Sequence, residues 1–582
     1  MSDAASDPDD GSEPMEGITE TPASRLVSHL LSMLIHLFTS KEKTVRYRAT
    51  QLVAHIVNSV DALDDDYYHI LKTSLLKRIR DKEAMVRVQA VLGLGRLAGN
   101  EDEGEQDEDS DEDGASGLVE KLVEILQNDP SAEVRRSLLL NLPLTPSTLP
   151  YLLERARDMD AGTRKALYSR LLPALGDFRH LSLSMREKLL RWGLRDRDEN
   201  VRKATARLFR DRWIEDCAQP REQSEDGGAI GLSPPDMDAL HELLERIDIV
   251  NSGLEDGIGS EAMKGFWEGR ADYQSAISFK DAFWDQLTPE SVFTARTWND
   301  FYRSKVDDKY DELVDSKMPE VTRLAFCLQH QINKLTEVLR YNLSLSEDAE
   351  PEETVEQEFI VEQMLHIAKT LDYTDEVGRR KMFSLMRETL AIAELPDEIT
   401  QLVIDVLRDV CGGEIAGERD FCGVVLEAIA EVHDAITTDE GGGDHEEDSF
   451  HSARSEISDK TPTTFERSEE KKPAETEDME DRKAVREIMI NMKCLHIAQC
   501  MLQNVEGALQ SNMHLVNMLN NLIVPAVRSQ EAPIREKGLL CLGLCCLLDK
   551  VSEFGLWELK ESRLPDTESC RRESHAILAL LQ

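Results

Sequence analysis

The sequence predicts an all-α protein of stacked helix pairs, an α-solenoid, and three observations lead to that prediction. Apolar residues from 24 to 213 recur at the spacing of one helix face, with almost no strand-like alternation. A short phrase of turn, apolar and basic residues returns along the same stretch. Its copies lie about 40 residues apart, which is the length of one helix pair in a repeat array.

Each copy of the phrase reads as an acidic or polar turn, then Val-Arg or its equivalent, then small and apolar residues on a helix. The arginines of the copies are Arg46, Arg87, Arg135, Arg164 and Arg202, with a late copy at Arg535. The first five are separated by 41, 48, 29 and 38 residues, a mean close to the period of HEAT and armadillo repeats. Because one helix pair cannot bury its apolar face alone, neighbouring pairs must stack into a superhelix. We therefore predict a HEAT-repeat α-solenoid.

The phrase also has a physical logic within such a stack. The carboxylate of the turn is expected to cap the helix that follows, and the valine is expected to face the core. The arginine can reach the Asp of an adjacent repeat, so that successive repeats are joined in a ladder. On this basis Arg46, Arg87, Arg135 and Arg202 are predicted to be structural.

Composition divides the chain into folded and unfolded parts. Ten of the thirteen residues from 101 to 113 are acidic, and residues 439–483 hold 16 Asp and Glu against 7 Lys and Arg. Segments of this composition cannot offset their ordering entropy by burial and are predicted to be disordered. The predicted organisation is a disordered acidic tail (1–23), N-terminal repeats (24–213) with an acidic loop insert (101–117), an irregular linker (214–236), central helical repeats (237–437), a disordered acidic linker (438–483) and the start of an incomplete C-terminal repeat domain (484–582).

Several classes of protein are disfavoured by the sequence. It lacks phosphate-loop, zinc-protease, nucleophile-elbow and paired Cys-x-x-Cys signatures, so no enzyme, cofactor or metal is predicted. The glycines of "GLGRLAG" (Gly93 to Gly99) are interpreted as close helix packing. The ten cysteines lie mostly in apolar helical contexts and are expected to be buried free thiols in a reducing compartment. Without a signal peptide or an apolar run of ~18 residues, the protein is expected to be soluble and cytosolic or nuclear.

Charge is distributed very unevenly along the chain. The formal net charge is −45, yet residues 24–100 carry 12 Lys and Arg against 7 Asp and Glu, and residues 151–213 carry 16 against 9. Local basic patches on an acidic protein indicate a dedicated anionic partner. Their recurrence near repeat turns would align charge along one edge, as a phosphate backbone requires, although each residue alone could equally be solvated surface. The candidates are Lys77, Arg78, Arg80, Lys82, Arg155, Arg157, Arg195, Arg197 and Lys203.

Four quoted stretches carry a resemblance to a known family. "LLKRIRDKEAMVRVQAVLGLGRL" from Leu75 resembles the N-terminal HEAT repeats of condensin complex subunit 3, the CAP-G family of non-SMC subunits. The stretches from His366 ("HIAKTLDYTDEVGRRKM…"), Glu418 ("ERDFCGVVLEAIAEVHD") and Asn520 ("NNLIVPAVRSQEAPIREKGLLCLGLCCLLDK") are similar to its central block, the segment before its variable linker and its C-terminal domain. Family members usually continue for several repeats beyond the last block, whereas this chain ends about thirty residues later, so its C-terminal lobe is expected to be incomplete.

The resemblance implies a function as well as a fold. Members bind the kleisin subunit of condensin, hold double-stranded DNA in a basic groove, and meet the SMC ATPase subunits indirectly through the kleisin. The resemblance therefore implies mitotic chromosome condensation in the nucleus and on chromosomes, with cytoplasmic residence possible outside mitosis and no membrane partner. It adds Arg379, Arg380 and Lys381 of the "GRRKM" block to the DNA-binding candidates.

Alternatives from other classes are kept open at this point. A nuclear transport receptor is also an acidic HEAT solenoid, but it should carry its acid on an inner face that captures basic cargo. A phosphatase-type scaffold should show a more regular repeat without a long acidic break. Two Thr-Pro dipeptides, at Thr21 and Thr461, are candidate sites for proline-directed phosphorylation.

Overall fold

The fold was analysed on a computed structural model, which describes residues 22–60, 63–99, 117–218, 233–254, 257–305, 308–344, 352–434 and 474–548. All regular structure in these ranges is helical, as predicted. Two compact units are present. The first comprises the described residues of 1–248 and 255–272, and the second those of 249–254 and 273–582.

The helices fall in chain order as follows. Those up to residue 246 are α1 (Pro22–Leu37), α2 (Lys43–Ser59), α3 (Asp65–Arg78), α4 (Ala84–Ala98), α5 (Leu118–Asn128), α6 (Ala132–Asn141), α7 (Leu149–Leu153), α8 (Ala161–Ala166), α9 (Leu172–Ala174), α10 (Leu183–Leu194), α11 (Glu199–Arg207), α12 (Ile214–Cys217) and α13 (Met237–Arg246). Those that follow are α14 (Ile249–Ser252), α15 (Gly259–Gly269), α16 (Ala271–Ala276), α17 (Asp281–Asp285), α18 (Pro289–Arg303), α19 (Asp308–Lys317), α20 (Val321–Ser344), α21 (Glu352–Ala368), α22 (Glu376–Leu390), α23 (Asp397–Cys411), α24 (Ile415–Asp434), α25 (Ala474–Gln503), α26 (Met513–Met518), α27 (Val524–Val527) and α28 (Ala532–Leu548).

The first unit is a stack of helix pairs. The second helix of each pair packs on the second helix of the next, in the order α2, α4, α6, α8, α11 and α15. Helix α8 continues through a wider turn, Leu167–Leu171, into α9, and α11 continues through Leu208–Trp213 into α12. This is the stacked arrangement that the recurring phrase predicts, and it confirms the HEAT-type solenoid.

The apolar residue before a repeat arginine is mostly in the core. Val86, Val134 and Val201 are fully buried, as expected of the phrase. Val45 departs from the prediction because it remains exposed. It lies in the first described pair, where no earlier described pair covers it.

Small residues allow α4 to approach its neighbours closely. A Cβ built on Gly95 would lie 2.9 Å from the Asn141 carbonyl oxygen at the end of α6, and one on Gly93 would lie 3.0 Å from Leu75 Cδ1. Real Cβ atoms do not occupy such positions without movement of the neighbour. The structure thus supports the close-packing interpretation of "GLGRLAG".

The second unit repeats the same principle with longer helices. The second helices α18, α21, α23, α25 and α28 pack in succession, and the first helices α20, α22 and α24 do likewise. Helices α24 and α25 also pack on each other as one pair. The predicted linker 438–483 therefore interrupts a helix pair instead of separating two domains, and α25 begins inside it at Ala474.

The boundary between the units also differs from the break expected at 214–236. Met237 starts α13 as predicted, but α12 packs on α13 and α15 packs on α11. Phe209 and Phe266 contact each other across that packing, with ring centroids 6.5 Å apart. The first unit therefore extends to residue 272.

Some predictions concern residues outside the described ranges. These are Thr21, Thr461, the tail up to residue 21, the insert except for Gly117, residues 219–232 of the first predicted linker, residues 438–473 of the second predicted linker and the C-terminal stretch from 549. Within the described part of the chain, none of the helices is long and apolar enough to cross a membrane.

Candidate nucleic-acid interface

Four arginine–aspartate pairs join successive repeats of the first unit. In each pair Nε and Nη2 of the arginine donate to the two carboxylate oxygens of an Asp in the next repeat. The Nε and Nη2 distances are 2.8 and 3.1 Å for Arg46–Asp81, 2.8 and 2.9 Å for Arg87–Asp129, 2.8 and 2.7 Å for Arg135–Asp158, and 2.6 and 2.8 Å for Arg164–Asp196. We call this row the ladder, and it confirms the pairing that the phrase predicts for Arg46, Arg87 and Arg135.

Backbone groups anchor each ladder pair on both sides. Nη1 of every ladder arginine donates to the carbonyl six residues before it, for example from Arg87 to Asp81 at 2.9 Å and from Arg135 to Asp129 at 2.7 Å. Each ladder carboxylate also accepts the N–H two residues ahead, as Asp129 does from Ser131 at 2.7 Å. Each ladder arginine thus binds a carbonyl in the turn before its own helix and the carboxylate of the next repeat. The turns of successive repeats are therefore held next to one another.

The ladder carboxylates do not cap the helices in the way the phrase predicts. Their N–H donor is the N-cap residue itself, two positions further on, so they shape the turn before the helix. Side-chain capping comes instead from Asp160 and Asp198, which accept the N–H groups of Thr163 and of Asn200. The prediction was therefore right about the turn and wrong about which carboxylate caps.

Asp81, Asp158 and Asp196 of the ladder are biased toward the ionised form. Burial opposes ionisation of Asp81, but the hydrogen bond from Arg46 and the charges of Arg46 and Arg78 outweigh it and hold the pKa below its ordinary value. The same opposing causes lower the pKa of Asp158 and of Asp196. Each of these pairs therefore contributes its full attraction at neutral pH.

Arg202 differs from the other repeat arginines. Its Nη1 donates to the carbonyls of Asp196 and Arg197 at 2.8 and 3.1 Å, but among the residues that the structure describes no carboxylate pairs with it. The side chain is exposed, whereas the four ladder arginines are largely buried. The predicted structural pairing of Arg202 is thus not seen in the described residues.

Two DNA-binding candidates are built into the ladder. Arg78 donates to the Phe38 carbonyl at 2.8 Å and to Asp81 at 3.1 Å. Arg155 occupies the equivalent place, 3.3 Å from the Leu126 carbonyl and 3.5 Å from Asp158. Because both side chains are mostly buried against these partners, they support the stack and offer little to a ligand.

The remaining candidates of the first unit are exposed. Lys77, Arg80, Lys82, Arg157 and Arg197 are solvent-accessible, and none forms an ion pair with a carboxylate in the described residues. The Arg157 guanidinium lies over the Trp192 ring, 5.6 Å from its centroid. These side chains are consequently free to meet an anion.

Most of these residues share one register. Arg80, Arg157 and Arg195 lie seven residues before a repeat arginine, and Lys82 and Arg197 lie five residues before one. We call these two positions the ladder edge, because they flank the residue whose carbonyl anchors the repeat arginine. Lys41 occupies the same position before Arg46 and is exposed, but sequence reasoning missed it. The fixed five-residue offset could have revealed it.

Two further candidates have carboxylate partners. Arg195 pairs with Glu261 at 2.7 Å, and Lys203 pairs with Glu199 one helical turn away at 2.6 Å. Both pairs are exposed, so the attraction is weak and a stronger anion could displace it. Arg195 is therefore a secondary member of the ladder edge, and Lys203 lies outside it.

The "GRRKM" candidates lie in the second unit on α22. Arg380 pairs with Glu376 in the same helix, and Lys381 donates to Gln329 at 2.9 Å with its ammonium over the Phe326 ring. Arg379 is exposed and has no carboxylate partner among the described residues. The three residues therefore do not form one free basic patch.

Seven of the nine cysteines that the structure describes are buried. Burial raises the pKa of Cys541 and of Cys545 to about 12, so both thiols are neutral at physiological pH. No group of His, Cys, Asp and Glu within the described ranges is arranged to hold a metal ion. The burial of Cys541 and Cys545 agrees with the prediction that these positions serve packing.

The geometry defines an α-solenoid of HEAT type with a basic edge, and comparison with known proteins narrows the class. The family "Nuclear condensing complex subunits, C-term domain" matches residues 493–554. Condensin complex subunit 3 of Schizosaccharomyces pombe is 38% identical over 536 residues, covering 91% of this chain and 55% of the relative. The Saccharomyces cerevisiae protein of the same name is 30% identical over 564 residues, covering 90% of this chain and 50% of the relative.

A solved structure agrees with these relatives. The S. pombe condensin Cnd3–Cnd2 subcomplex matches with a TM-score of 0.67 and 36% identity, covering 91% of this chain and 56% of that chain. These findings confirm the predicted resemblance to the condensin complex subunit 3 family. The chain spans about half the length of the curated relatives it matches.

Proposed function

We propose that this chain acts as a non-catalytic HEAT-repeat subunit of condensin that binds the kleisin subunit and double-stranded DNA. Through the kleisin it would join the SMC ATPase subunits and support mitotic chromosome condensation on chromosomes in the nucleus. The observation that carries the DNA part is the ladder edge of the first unit. The kleisin part is supported by the likeness to Cnd3, which was solved in a subcomplex with the kleisin Cnd2.

The ladder edge suits a phosphate backbone for a geometric reason. Packed helices lie about 8–10 Å apart, so the ladder sets neighbouring repeat turns at a similar spacing. Cations stand at four of these five turns, and the turn before Arg135 has Asn128 and Pro130 at the two positions instead. Duplex DNA presents one phosphate per ~3.4 Å of axis on each strand, and a row of separated cations can follow it without reading bases. Arg80, Lys82, Arg157 and Arg197 are the residues we propose for direct phosphate contact.

Charge placement also favours this proposal over a nuclear transport receptor. A receptor for basic cargo needs an acidic binding face, whereas the first unit exposes basic side chains at its repeat turns. Acidic residues are densest in residues 101–113, with 10 of 13, and in residues 439–483, with 16 of 45. The 38% identity to a condensin subunit over nine-tenths of this chain points the same way.

A binding measurement tests the proposal. The full chain, mixed with a kleisin fragment, is titrated into a fluorescent duplex of random sequence at several salt concentrations. We expect a sequence-independent affinity that falls steeply with salt, because bound phosphates release counterions. The triple variant Arg80→Gln, Lys82→Gln and Arg197→Gln should bind at least ~10-fold more weakly on all sequences.

A matched control separates local contacts from total charge. The triple variant Lys188→Gln, Lys334→Gln and Arg340→Gln removes the same charge from exposed positions on α10 and α20. It should bind duplex almost as the unaltered chain does. An equal loss of duplex affinity in both triple variants would contradict DNA binding at the ladder edge. A pull-down in which the chain fails to recover the kleisin fragment would contradict kleisin binding.

A further inference from the structure

The second unit contains a cavity of about 450 Å³ that the proposed function does not use. It is formed by α22, the end of α23, α24 and α26. Its basic lining is Arg379 and Arg380 from α22, Arg419 from α24 and His514 from α26. Phe383, Val410, Cys411 and Val424 provide an apolar wall.

The charged side chains that line this cavity do not form ion pairs with one another in the described structure. Arg380 pairs with Glu376 outside the cavity, and Glu427 pairs with Arg387 at 3.0 Å. Arg379, Arg419 and Asp420 are exposed and have no ion-pair partner in the part of the chain that the structure describes. Two free guanidinium groups and one free carboxylate therefore line the same small space.

We propose that this cavity binds a phosphoserine or phosphothreonine peptide that carries a Lys or Arg next to the phosphorylated residue. A phosphomonoester carries a charge near −2 and three acceptor oxygens, which planar guanidinium groups bind in bidentate fashion. Arg379 and Arg419 supply two such groups. Asp420 supplies the counterpart for the neighbouring basic side chain, and Phe383 and Val424 meet the aliphatic atoms of the residue.

The uncharged wall of the cavity suits contact with the apolar atoms of a peptide side chain. Burial raises the pKa of the Cys411 thiol to about 11, so it lines the cavity as an uncharged atom. Val410 beside it is buried. A threonine methyl group or a following proline would gain contact with these atoms.

The acidic residues argue against a nucleic-acid occupant. A duplex offers a long row of phosphodiesters and no cation, so Asp420 and Glu427 would repel it. A single phosphorylated residue beside a Lys or Arg can pair with both the guanidinium groups and the carboxylate of the cavity. The cavity therefore favours a peptide and is separate from the ladder edge.

Gly423 keeps the cavity open. A Cβ built on Gly423 would lie 3.6 Å from Cε1 and Nε2 of His514, an ordinary contact. Alanine is therefore tolerated here, whereas a longer side chain would project into the cavity. This allows the cavity to be filled without changing its charges.

This chain itself contains a sequence of the required chemistry, which supplies the probe. Lys460, Thr461 and Pro462 place a basic residue directly before a candidate proline-directed site. A fluorescent peptide of residues 455–467 is made with Thr461 phosphorylated and unphosphorylated, and its anisotropy is measured on adding the full chain. We expect the phosphorylated peptide to bind at least ~10-fold more tightly, since charged hydrogen bonds to the phosphoryl group are lost otherwise.

Variants locate the binding site. Arg379→Gln and Arg419→Gln should each weaken the phosphorylated peptide by about 10-fold or more, while Arg340→Gln on α20 should have no effect. Gly423→Leu should abolish binding and Gly423→Ala should preserve it, with circular dichroism checking the fold of each. Asp420→Asn should weaken the peptide with Lys460 and leave a Lys460→Gln peptide unchanged.

Three results would overturn the proposal. The first is equal affinity for the two peptides, and the second is normal phosphopeptide binding by Arg419→Gln. The third is duplex DNA that displaces the peptide and loses affinity with Arg419→Gln, which would make the cavity part of a nucleic-acid surface. None of these results bears on the ladder edge, whose test uses other residues.

Discussion

Nε and Nη2 of Arg135 hold the two carboxylate oxygens of Asp158 at 2.8 and 2.7 Å, across the boundary between two repeats. The Asp158 side chain is 1% exposed and the Arg135 side chain 11%. Nη1 of Arg135 is bound to the Asp129 carbonyl, so the pair is also tied to the preceding ladder position. The arginine of the recurring sequence phrase thus forms the ion pair that joins one repeat to the next.

Breaking this pair should cost much more stability than its charge alone suggests. Asp158→Asn and Arg135→Gln each leave a buried group uncompensated and should lower the free energy of unfolding by about 3 kcal/mol. The double variant should lose less than the sum, because the second change removes the stranded partner. Urea unfolding followed by circular dichroism measures this. Arg136→Gln, from the more exposed pair with Asp160, should cost only about 0.5–1 kcal/mol, and an equal loss there would contradict a special role for the ladder.

The ladder should make the first unit sensitive to acid. The pKa values of Asp81, Asp158 and Asp196 lie below the ordinary value of 3.8, because their arginine hydrogen bonds and charges outweigh burial. In the folded state these groups bind fewer protons than in the unfolded state. Their stabilisation is therefore complete above the unfolded pKa and is lost as pH falls below about 4, through the folded values. The melting temperature between pH 6 and 3 should fall more steeply for the unaltered chain than for Asp158→Asn.

Close approach at α4 gives a steric prediction. Gly95→Ala would place a Cβ 2.9 Å from the Asn141 carbonyl oxygen, and a backbone oxygen cannot yield without moving α6. We expect a loss of about 1–3 kcal/mol in thermal or urea unfolding. Gly99→Ala ends the same helix with its nearest atom at an ordinary 3.7 Å and serves as the control. Similar unfolding midpoints for the two variants would argue against close packing at Gly95.

The salt dependence of duplex binding should show which residues of the ladder edge contact phosphate. Each phosphate contact removed should reduce the slope of log affinity against log salt by about 0.9. Arg80→Gln and Arg197→Gln should each show that reduction. Arg78→Gln should lower stability without this specific change of slope, since Arg78 is bound to Asp81 and to the Phe38 carbonyl. The reverse pattern would show that the buried arginine is the ligand contact.

The Asp397 carboxylate at the start of α23 lies close to basic side chains of α25 and α28. Asp397 lies 3.6 Å from Lys493, 3.6 Å from His496 and 3.2 Å from Lys537. Burial lowers the pKa of His496, and the charge of Asp397 partly opposes that shift. Asp397→Asn should therefore lower the pKa of His496 further, which a proton NMR titration of the imidazole can measure. An unchanged titration would mean that Asp397 does not face His496 in solution.

Some features of this protein follow from the chain alone. Helical periodicity, the recurring phrase and its spacing predicted the solenoid, because a 3.6-residue apolar pattern can be buried only by stacking such helices. The Arg–Asp ladder was also predictable, since Arg87 and Arg135 follow polar turns at a constant offset. Both are local patterns repeated in sequence.

Only the tertiary structure decided how each basic residue is used. Arg78 and Arg80 are two positions apart, yet one is bound to the Phe38 carbonyl and the other faces solvent. The same holds for Arg379 and Lys381, of which only the second has a partner in a different helix, Gln329. A sequence shows charge but not the neighbours that neutralise it, because those neighbours come from other repeats. The separation of ladder, edge and cavity arginines therefore depends on packing between helices that are far apart in the chain.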